Sequence, residues 1–318
     1  MSQLILAINP GSTSTKIAVY DGDQPVFEKT LRHAAAELEP YPNIIDQYDF
    51  RKKLVLEAMR ENQVAPQSLA AVVGRGGLVK PVPGGTFKIN EAMKNDLRDP
   101  SLWGRTHASA LGAFIADAIA REFNIPGFIV DPVVVDEFED LARVSGIPEI
   151  ERKSLLHALN IRYIARLMAE ELGKKLEEAN LIGVHMGGGI SVAAIKNGRV
   201  VDVNNALLGM GPFSPQRAGA LPIGDLLELA YSGKYTHPQL VKYLTKTAGF
   251  MAYLGTDSGI EVNQRIEAGD AKAKLITEAM CYQVAKEVGA CATVLQGKVD
   301  AIYMRGGLVY NDFIVEQI

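Results

Sequence analysis

The sequence predicts a duplicated α/β fold, from its length and from one pattern that occurs twice. At 318 residues the chain exceeds the roughly 250 to 300 residues at which a single hydrophobic core stops growing. A strand, a glycine turn, a second strand, a two-residue turn and a third strand follow one another in LAINPGSTSTKIAVYDGDQPVF, and the same order recurs in IGVHMGGGISVAAIKNGRVVDV. Gly11 then aligns with Gly188, and helical segments follow each copy. Duplication of one α/β unit is the economical explanation.

Hydrophobic periodicity gives the elements of the first copy in chain order. It predicts strands at 3–9, 15–21 and 25–30, a helix at 47–63, a strand at 69–74, a helix at 107–123 and a strand at 127–131. A long amphipathic pattern at 151–175 predicts a helix that separates the two halves. We therefore expect a first domain at 1–150 and a second domain at 151–318.

The two-residue turns of the repeated pattern contain Asp21-Gly22 and Asn197-Gly198. Asp-Gly and Asn-Gly pairs favour the type I′ hairpin turn, in which both central residues have positive φ. The sequence therefore predicts a tight hairpin after the second strand of each copy.

Composition and charge limit the classes of partner. With 47% hydrophobic and 22% charged residues, the chain can bury a core throughout its length. A net charge of −4 without a Lys/Arg block offers no electrostatic attraction for nucleic acid. No apolar run approaches the eighteen or more residues of a membrane span, and no basic leader precedes the first strand. We expect a cytoplasmic protein without a nucleic-acid or membrane partner.

The two cysteines lie in one predicted helix, DAKAKLITEAMCYQVAKEVGACATVLQG. Cys281 and Cys291 are ten residues apart, which at a rise of 1.5 Å per residue separates them by about 15 Å. A disulfide needs α-carbons within about 7 Å. The spacing therefore predicts two buried thiols.

The two glycine turns are candidate anion sites, because turns of small residues collect backbone N–H groups in one concavity. In the first turn Ser12, Thr13, Ser14 and Thr15 add hydroxyl donors and Lys16 adds a positive charge. An ordinary solvated hairpin is the alternative for either turn alone. The first turn is not a P-loop, because GSTSTK has no second glycine before its lysine and leads into a strand. GVHMGGGIS likewise lacks the G-x-G-x-x-G fingerprint of dinucleotide-binding folds.

Several motifs along the whole chain resemble those of the butyrate kinases, in the acetate/propionate/butyrate kinase family of the actin-like ATPase superfamily. They are NPGSTSTK, GRGGLVKPVPGG, HASALGA, DPVVVDEFEDLARVSG, RKSLLHALN, HMGGGISVAA and GPFSPQRAG. The resemblance implies duplicated actin-like (ribonuclease H-like) domains with an interdomain nucleotide cleft. It also implies transfer of the ATP γ-phosphoryl group to butyrate or a related short-chain carboxylate, with ADP as the other product. ATP and Mg²⁺ are the implied cofactors, and we expect a homodimer or higher homo-oligomer.

The resemblance assigns roles to two arginines. Arg75 in GRGGL and Arg217 in SPQRAG match the family arginines that hold the carboxylate and the phosphoryl group. Two planar guanidinium groups suit this task because each can pair with two oxygens at once. Surface arginines in loops are the alternative interpretation. We expect Gly76 and Gly77 to let a ligand approach the backbone and to leave room for a longer acyl chain.

The remaining catalytic and metal assignments also come from the resemblance. His157 in LLHALN matches the histidine that donates a hydrogen bond to the transferring phosphoryl group. Asp131 ends the strand GFIVD, and Asn9 occupies the matching place in the first turn. We assign both of them to positioning of Mg²⁺ or phosphoryl, because a carboxylate acceptor is already ionised at pH 7 and needs no general base. A core histidine and a turn-forming aspartate are the alternatives.

The implied nucleotide-binding residues lie in three turns. The phosphate turn at 9–16 supplies Gly11, Ser12, Ser14 and Lys16, the phosphate turn at 185–191 supplies His185, Gly187, Gly188 and Gly189, and the adenosine turn at 304–308 supplies Gly306 and Gly307. A common Gly-Gly turn is the alternative for the last of these.

The sequence also departs from the family pattern. Arg305, Met210, Gln216, Ala218 and Val309 stand where relatives carry other residues, and relatives continue beyond the last residue here. The point at which the chain ends predicts a C-terminally shortened second domain. Two other functions therefore stay open: a non-catalytic or decayed nucleotide-binding protein of the actin fold, and an acetate or propionate kinase.

Overall fold

The computed structural model describes residues 3–41, 43–104 and 107–318. The chain forms two compact units, Met1–Val135 and Asp136–Ile318. The boundary between these units precedes residue 150, where the sequence interpretation divides the chain. The assignment of functional domains stays a prediction.

The first unit contains the first copy of the repeated pattern, at positions within a few residues of those predicted. Its elements are β1 (Leu4–Pro10), β2 (Ser14–Asp21), β3 (Gln24–Arg32), α1 (Ala35–Leu38), α2 (Tyr48–Glu61), β4 (Leu69–Arg75), β5 (Thr86–Lys88), α3 (Glu91–Arg98), α4 (Ala110–Phe123) and β6 (Gly127–Val130), with short 3₁₀ turns at Ile44–Gln47 and Pro66–Ser68.

These strands form one sheet in the order β3-β2-β1-β4-β6-β5. β1 pairs antiparallel with β2 and parallel with β4, and β4 pairs parallel with β6. α4 packs on these central strands, and its apolar residues from Ala110 to Ala120 are almost all buried. Because β1, β4 and β6 are parallel, their carboxyl ends lie at one edge of the sheet.

The second unit repeats the meander and adds a larger set of helices. Its elements are α5 (Asp140–Arg143), α6 (Ala158–Glu171), β7 (Leu181–Met186), β8 (Ile190–Lys196), β9 (Arg199–Val203), α7 (Ile223–Tyr231), α8 (His237–Lys246), α9 (Phe250–Leu254), α10 (Gly259–Glu267), α11 (Ala271–Val294), β10 (Ala301–Arg305) and α12 (Asp312–Glu316), with 3₁₀ turns at Leu176–Glu178 and Gly307–Tyr310.

The second sheet has the order β10-β7-β8-β9. β7 pairs antiparallel with β8 and parallel with β10, as β1 pairs with β2 and β4 in the first unit. α11 packs on β7 and β8, and its inward side chains join a core that includes Val184, Val192, Phe250 and Met280. The shared strand order confirms the duplication that the repeated pattern predicts.

The two hairpin turns differ in conformation. In the second copy Asn197 and Gly198 have φ values of +51° and +75°, as the type I′ prediction requires. In the first copy Asp21 pairs with Gln24, so Gly22 and Asp23 are the central residues and only Gly22 has positive φ, +58°. The type I′ prediction is therefore wrong for the first turn, because Asp21 belongs to the ladder.

The helix predicted at 151–175 is shorter in the structure and spans Ala158–Glu171. Residues before it follow an irregular path, in which Arg152 forms an ion pair with Asp202 of β9 and donates to the carbonyl of Ala142. At the other end Gly173 has a φ of +67°, a conformation that commonly ends helices.

Both cysteines are buried in α11 without a disulfide, as the spacing predicts. Burial raises the pKa of each thiol to about 12. Among the described helices, none is both long enough and apolar enough to cross a membrane.

Candidate functional site

Three of the predicted catalytic residues lie at the carboxyl edge of the first sheet. Asn9 is at the end of β1, Arg75 ends β4, and Asp131 follows β6 directly. A guanidinium nitrogen of Arg75 donates to the side-chain oxygen of Asn9 at 3.3 Å. Burial lowers the pKa of Arg75 below its ordinary value. The first unit therefore gathers a cation, an amide and a carboxylate where ligands bind open α/β sheets.

Asp131 has a strained backbone and is 2% exposed. Its φ is +36°, a region that non-glycine residues seldom occupy and that often marks functional positions. One carboxylate oxygen accepts the backbone N–H of Gly85 at 2.8 Å, and the Asp131 N–H donates to the Gly85 carbonyl at 2.9 Å. This reciprocal pair fixes the carboxylate at the strand end.

The glycines after Arg75 serve packing and not ligand access. A Cβ at Gly76 would lie 2.6 Å from the Pro132 side chain, and a Cβ at Gly77 would lie 2.6 Å from Leu97 and 2.8 Å from the Ala110 backbone. The expectation that these glycines leave room for an acyl chain is therefore wrong, since the protein itself fills that room.

The first glycine turn connects β1 to β2 through residues 11–13. It is closed by a hydrogen bond of 2.7 Å from the Gly11 N–H to the Ser14 carbonyl, while Ser12 and Thr13 are exposed. The Lys16 ammonium lies 3.0 Å from the Glu28 carboxylate, and hydrogen bonds from Lys16 and Tyr20 lower the pKa of that carboxyl. The phosphate-binding role of Lys16 stays a prediction, and in the structure its charge is paired with Glu28 of β3.

Arg51 of α2 lies beneath the first glycine turn, completely buried, and sequence analysis did not single it out. Its guanidinium donates to the carbonyls of Gly11, Ser12 and Ser14 at 2.8, 2.9 and 3.0 Å. It also donates twice to the side-chain oxygen of Gln47, at 2.7 and 3.1 Å. Burial lowers the pKa of Arg51 to about 10, so the group is still protonated at neutral pH.

Thr15 links Arg51 to a second buried group. The Thr15 hydroxyl accepts from Arg51 at 3.1 Å and lies 2.9 Å from Nε2 of His33. His33 is only 5% exposed, and its ring meets the ring of Phe50 edge-on. Burial, together with the nearby charge of Arg51, lowers the pKa of His33.

The second glycine turn joins β7 to β8 and contacts Arg217. The Gly187 N–H donates to the Gly189 carbonyl at 3.0 Å. A Cβ on Gly189 would lie only 2.1 Å from a guanidinium nitrogen of Arg217. Arg217 also donates to the carbonyl of Ala206. The absence of a side chain at Gly189 thus lets the arginine lie against the turn.

The two predicted active-site histidines stack on each other in the second unit. The rings of His157 and His185 have centroids 3.9 Å apart and planes inclined by 17°. Nδ1 of His157 lies 2.9 Å from the Ser191 hydroxyl, and Nδ1 of His185 lies 2.9 Å from the side-chain oxygen of Asn160. Ser191 and Asn160, which fix the ring orientations, lie within the motifs GGGIS and LLHALN but were not predicted as site residues.

A cavity of about 550 Å³ opens beside the second glycine turn. It is lined by Gly187 and Gly188, by Gly307 and Asn311 after β10, and by residues of α10. The side-chain nitrogen of Asn311 is buried and has no hydrogen-bond partner among the described residues.

The two glycines of the predicted adenosine turn differ in the space that a side chain would have. Gly306 has a φ of +117°, and a Cβ there would lie 2.2 Å from the Met186 carbonyl oxygen. Gly307 has open space around its Cα and lines the cavity. Backbone packing therefore requires Gly306, whereas at Gly307 no neighbouring atom excludes a side chain.

A second cavity of about 560 Å³ has mostly apolar walls, and Arg217 is one of the residues that line it. Its walls include Leu207, Leu208 and further leucines from α7 and α8. Arg217 therefore lies against Gly189 of the second glycine turn and also lines a space that favours hydrocarbon.

Metal ligands are sparse in the part of the chain that the structure describes. No cluster of three or more His, Cys, Asp or Glu side chains occurs among those residues. Mg²⁺ that arrives with phosphates needs only one or two protein carboxylates and keeps several waters. Asp131 and the amide oxygen of Asn9 match this limited requirement.

Comparison with known proteins agrees with this architecture. The model of the acetokinase family matches residues 149–318. The crystal structure of Porphyromonas gingivalis acetate kinase superposes with a TM-score of 0.81 at 18% identity, covering 99% of this chain and 86% of that chain. The crystal structure of a propionate kinase from Francisella tularensis superposes with a TM-score of 0.80 at 20% identity, covering 99% of this chain and 87% of that chain. The crystal structure of an acetate kinase from Entamoeba histolytica superposes with a TM-score of 0.78 at 18% identity, covering 99% of this chain and 85% of that chain. These likenesses confirm the predicted duplicated actin-like α/β fold.

Proposed function

Because the chain belongs to the acetokinase family, we propose that it is a carboxylate kinase whose acceptor is butyrate or a related short or branched fatty acid. The γ-phosphoryl group of ATP is transferred reversibly to a carboxylate oxygen, and the products are an acyl phosphate and ADP. ATP and Mg²⁺ are the cofactors of this family.

The reaction joins two anions, and their repulsion is the main obstacle. A new P–O bond forms from the carboxylate oxygen to the γ-phosphorus while the bond from that phosphorus to the β,γ-bridging oxygen breaks. No proton is removed from the acceptor, because a carboxylic acid with a pKa near 4 is ionised at neutral pH. Two unit charges 4 Å apart interact by about 4 kcal/mol at an effective dielectric of 20. Fixed cations are therefore the principal catalytic requirement.

We assign this electrostatic task to Arg75 and Arg217. Arg75 is held at the strand edge by its hydrogen bond to Asn9, and Arg217 is held against Gly189 and by the Ala206 carbonyl. Both guanidinium groups are positioned before substrate binds, so little reorganisation accompanies transfer. His157, oriented by Ser191, donates to the transferring phosphoryl group in this proposal.

We assign the nucleotide to the glycine turns and to the cavity beside the second turn. The residues are Gly11, Ser12, Ser14, Lys16, His185, Gly187, Gly188, Gly189, Gly306 and Gly307. Asn9 and Asp131 are the residues proposed for Mg²⁺, which when bound neutralises phosphate charge and orients the phosphoryl group.

One observation carries the choice of a longer acyl chain. Arg217, the proposed carboxylate or phosphoryl ligand, lines an apolar cavity of about 560 Å³. An acetate methyl group needs only a small part of such a space, whereas each additional buried methylene contributes roughly 0.8 kcal/mol. The cavity therefore supports butyrate or a branched acid over acetate.

The test is acyl phosphate synthesis from ATP and Mg²⁺, trapped with hydroxylamine, with acetate, propionate, butyrate and isobutyrate compared under the same conditions. We expect the highest kcat/KM with butyrate or isobutyrate. The Arg217→Ala variant is the control and should lose activity with every acid. ATP binding without acyl phosphate from any acid would support a non-catalytic nucleotide-binding protein instead.

Acetate or propionate is the second candidate acceptor, because solved structures with this fold are named acetate and propionate kinases. A kcat/KM highest for acetate in the same comparison would favour it. A homo-oligomeric assembly and a cytoplasmic location also stay proposals.

A further inference from the structure

Arg51 is a buried cation whose hydrogen-bond partners, within the part of the chain that the structure describes, are all neutral. Its five N–H donors are directed at three turn carbonyls, the Thr15 hydroxyl and the Gln47 amide oxygen. Among the described residues no carboxylate pairs with it, and burial lowers its pKa. Burying an ion without a counter-charge is costly. A positive charge is therefore maintained beneath the first glycine turn at some cost in stability.

The hydrogen bonds of Arg51 also orient the turn. The carbonyls of Gly11 and Ser12 point toward the guanidinium, and the chain has no cis peptide among its described residues. In a trans peptide the N–H points opposite to the C=O. The N–H groups of Ser12 and Thr13 therefore point away from Arg51, on the exposed side of the turn, and successive N–H groups of this kind form an anion-binding nest.

We propose that Arg51 is the positioning residue of the first glycine turn, and that the polyphosphate of the nucleotide supplies its missing counter-charge. This inference rests on the proposed function, since that function brings a polyphosphate to the turn. Arg51 does not touch the ligand. It fixes the backbone donors that do so and gives the turn a positive potential.

The Gln47→Glu variant separates this role from simple support of the turn. A glutamate would place a carboxylate oxygen about where the Gln47 oxygen now accepts from Arg51 at 2.7 and 3.1 Å. We expect this internal counter-ion to increase the free energy of unfolding of the ligand-free protein. We also expect the Kd values for MgADP and for inorganic tripolyphosphate to rise about tenfold, because the potential at the turn is neutralised. If Arg51 only supported the turn, the stronger ion pair between Arg51 and the glutamate at position 47 would hold the turn at least as well. Both Kd values would then be unchanged or lower.

The matched control is Gln67→Glu, which adds the same charge at an exposed position of the first unit. We expect it to change both Kd values less than twofold in calorimetric titrations at one ionic strength. Equal increases in the two glutamate variants would show a general charge effect and overturn the proposal.

A second pair of variants covers the case in which Gln47→Glu does not fold. Arg51→Lys keeps the charge and Arg51→Met removes it, and both lose the planar fork. We expect the lysine variant to bind tripolyphosphate about tenfold more tightly than the methionine variant. Equal affinity of the two would overturn the proposal, as would failure of the unaltered protein to bind either probe.

Acyl phosphate synthesis measured on the same samples keeps the two proposals distinct. If the unaltered protein binds both probes and Gln47→Glu weakens that binding, the role of Arg51 stands even when no carboxylate is phosphorylated. If acyl phosphate forms and Gln47→Glu leaves both Kd values unchanged, the proposed function stands and the role of Arg51 is rejected.

Discussion

Substituting Gly189 by alanine should displace Arg217 and slow catalysis without unfolding the protein. The added Cβ would lie 2.1 Å from a guanidinium nitrogen, whereas ordinary contact begins at 3.4 Å. The guanidinium must therefore move by about 1.3 Å, and a misplacement of about 1 Å can cost roughly 100-fold in rate. This loss corresponds to about 2.7 kcal/mol of transition-state stabilisation.

The atom that must move is the far end of a flexible side chain, so the fold should tolerate the change. We expect the free energy of unfolding, measured in urea, to change by less than about 1 kcal/mol. Initial rates of acyl phosphate formation, trapped as the hydroxamate, give kcat. Gly289→Ala is the matched control, because Gly289 is exposed on α11 with open space around its Cα, and its kcat should stay unchanged.

A double-mutant cycle tests whether Gly189→Ala lowers kcat through displacement of Arg217. Arg217→Ala alone should lower kcat by about 10²- to 10³-fold, similar to loss of an oxyanion donor. Adding Gly189→Ala to Arg217→Ala should cause little further loss, since the displaced group is already absent. Losses that multiply in the double variant, or a Gly189→Ala enzyme within threefold of normal kcat, would refute the reasoning.

Three further predictions address the first unit. Arg75→Ala should lower kcat by about 10²- to 10³-fold with the fold intact, and a near-normal kcat would reject its role. The pKa of His33 is lowered by burial and by Arg51, against a smaller opposite effect of Glu37, so the unfolded chain binds more protons there. Stability should therefore be fully present above about pH 6.5 and fall as the pH decreases toward the folded pKa of His33. His33→Gln should flatten the unfolding free energy over that range, and an unchanged slope in urea titrations would contradict this. Asp131→Asn, which tolerates positive φ, should shift the Mg²⁺ dependence of the rate, and a metal titration equal to that of the unaltered enzyme would exclude Asp131 from metal binding.

The sequence was sufficient for the features that depend on local pattern. Strand alternation, glycine turns and helical periodicity depend on residues that are close together in the sequence. The repeated meander was therefore predictable from spacing alone. The Asn197-Gly198 turn followed the same logic. The Asp21-Gly22 turn did not, because the ladder between β2 and β3 extends to Asp21 and moves the turn by one residue.

Glycines show where local pattern stops being informative. Gly76, Gly77 and Gly307 look alike in sequence, each beside another glycine after a buried strand. The structure packs Gly76 against Pro132 and Gly77 against α4, whereas Gly307 faces a cavity. Only the elements that pack from elsewhere in the chain decide whether a missing side chain leaves room for protein or for ligand.

What the sequence by itself determined is the duplicated α/β class, the positions of the two glycine turns and the identity of the residues that resemble a carboxylate kinase. What only the tertiary structure decided is which distant groups meet at those turns. Arg51 stands before two lysines in a helix and gives no sequence signal, yet it is buried beneath the first turn. His157 and His185 stack, and Gly189 accommodates Arg217, because β7, β8 and the segments around them converge in space. Periodicity specifies which face of an element is buried, but the partner opposite that face depends on long-range packing.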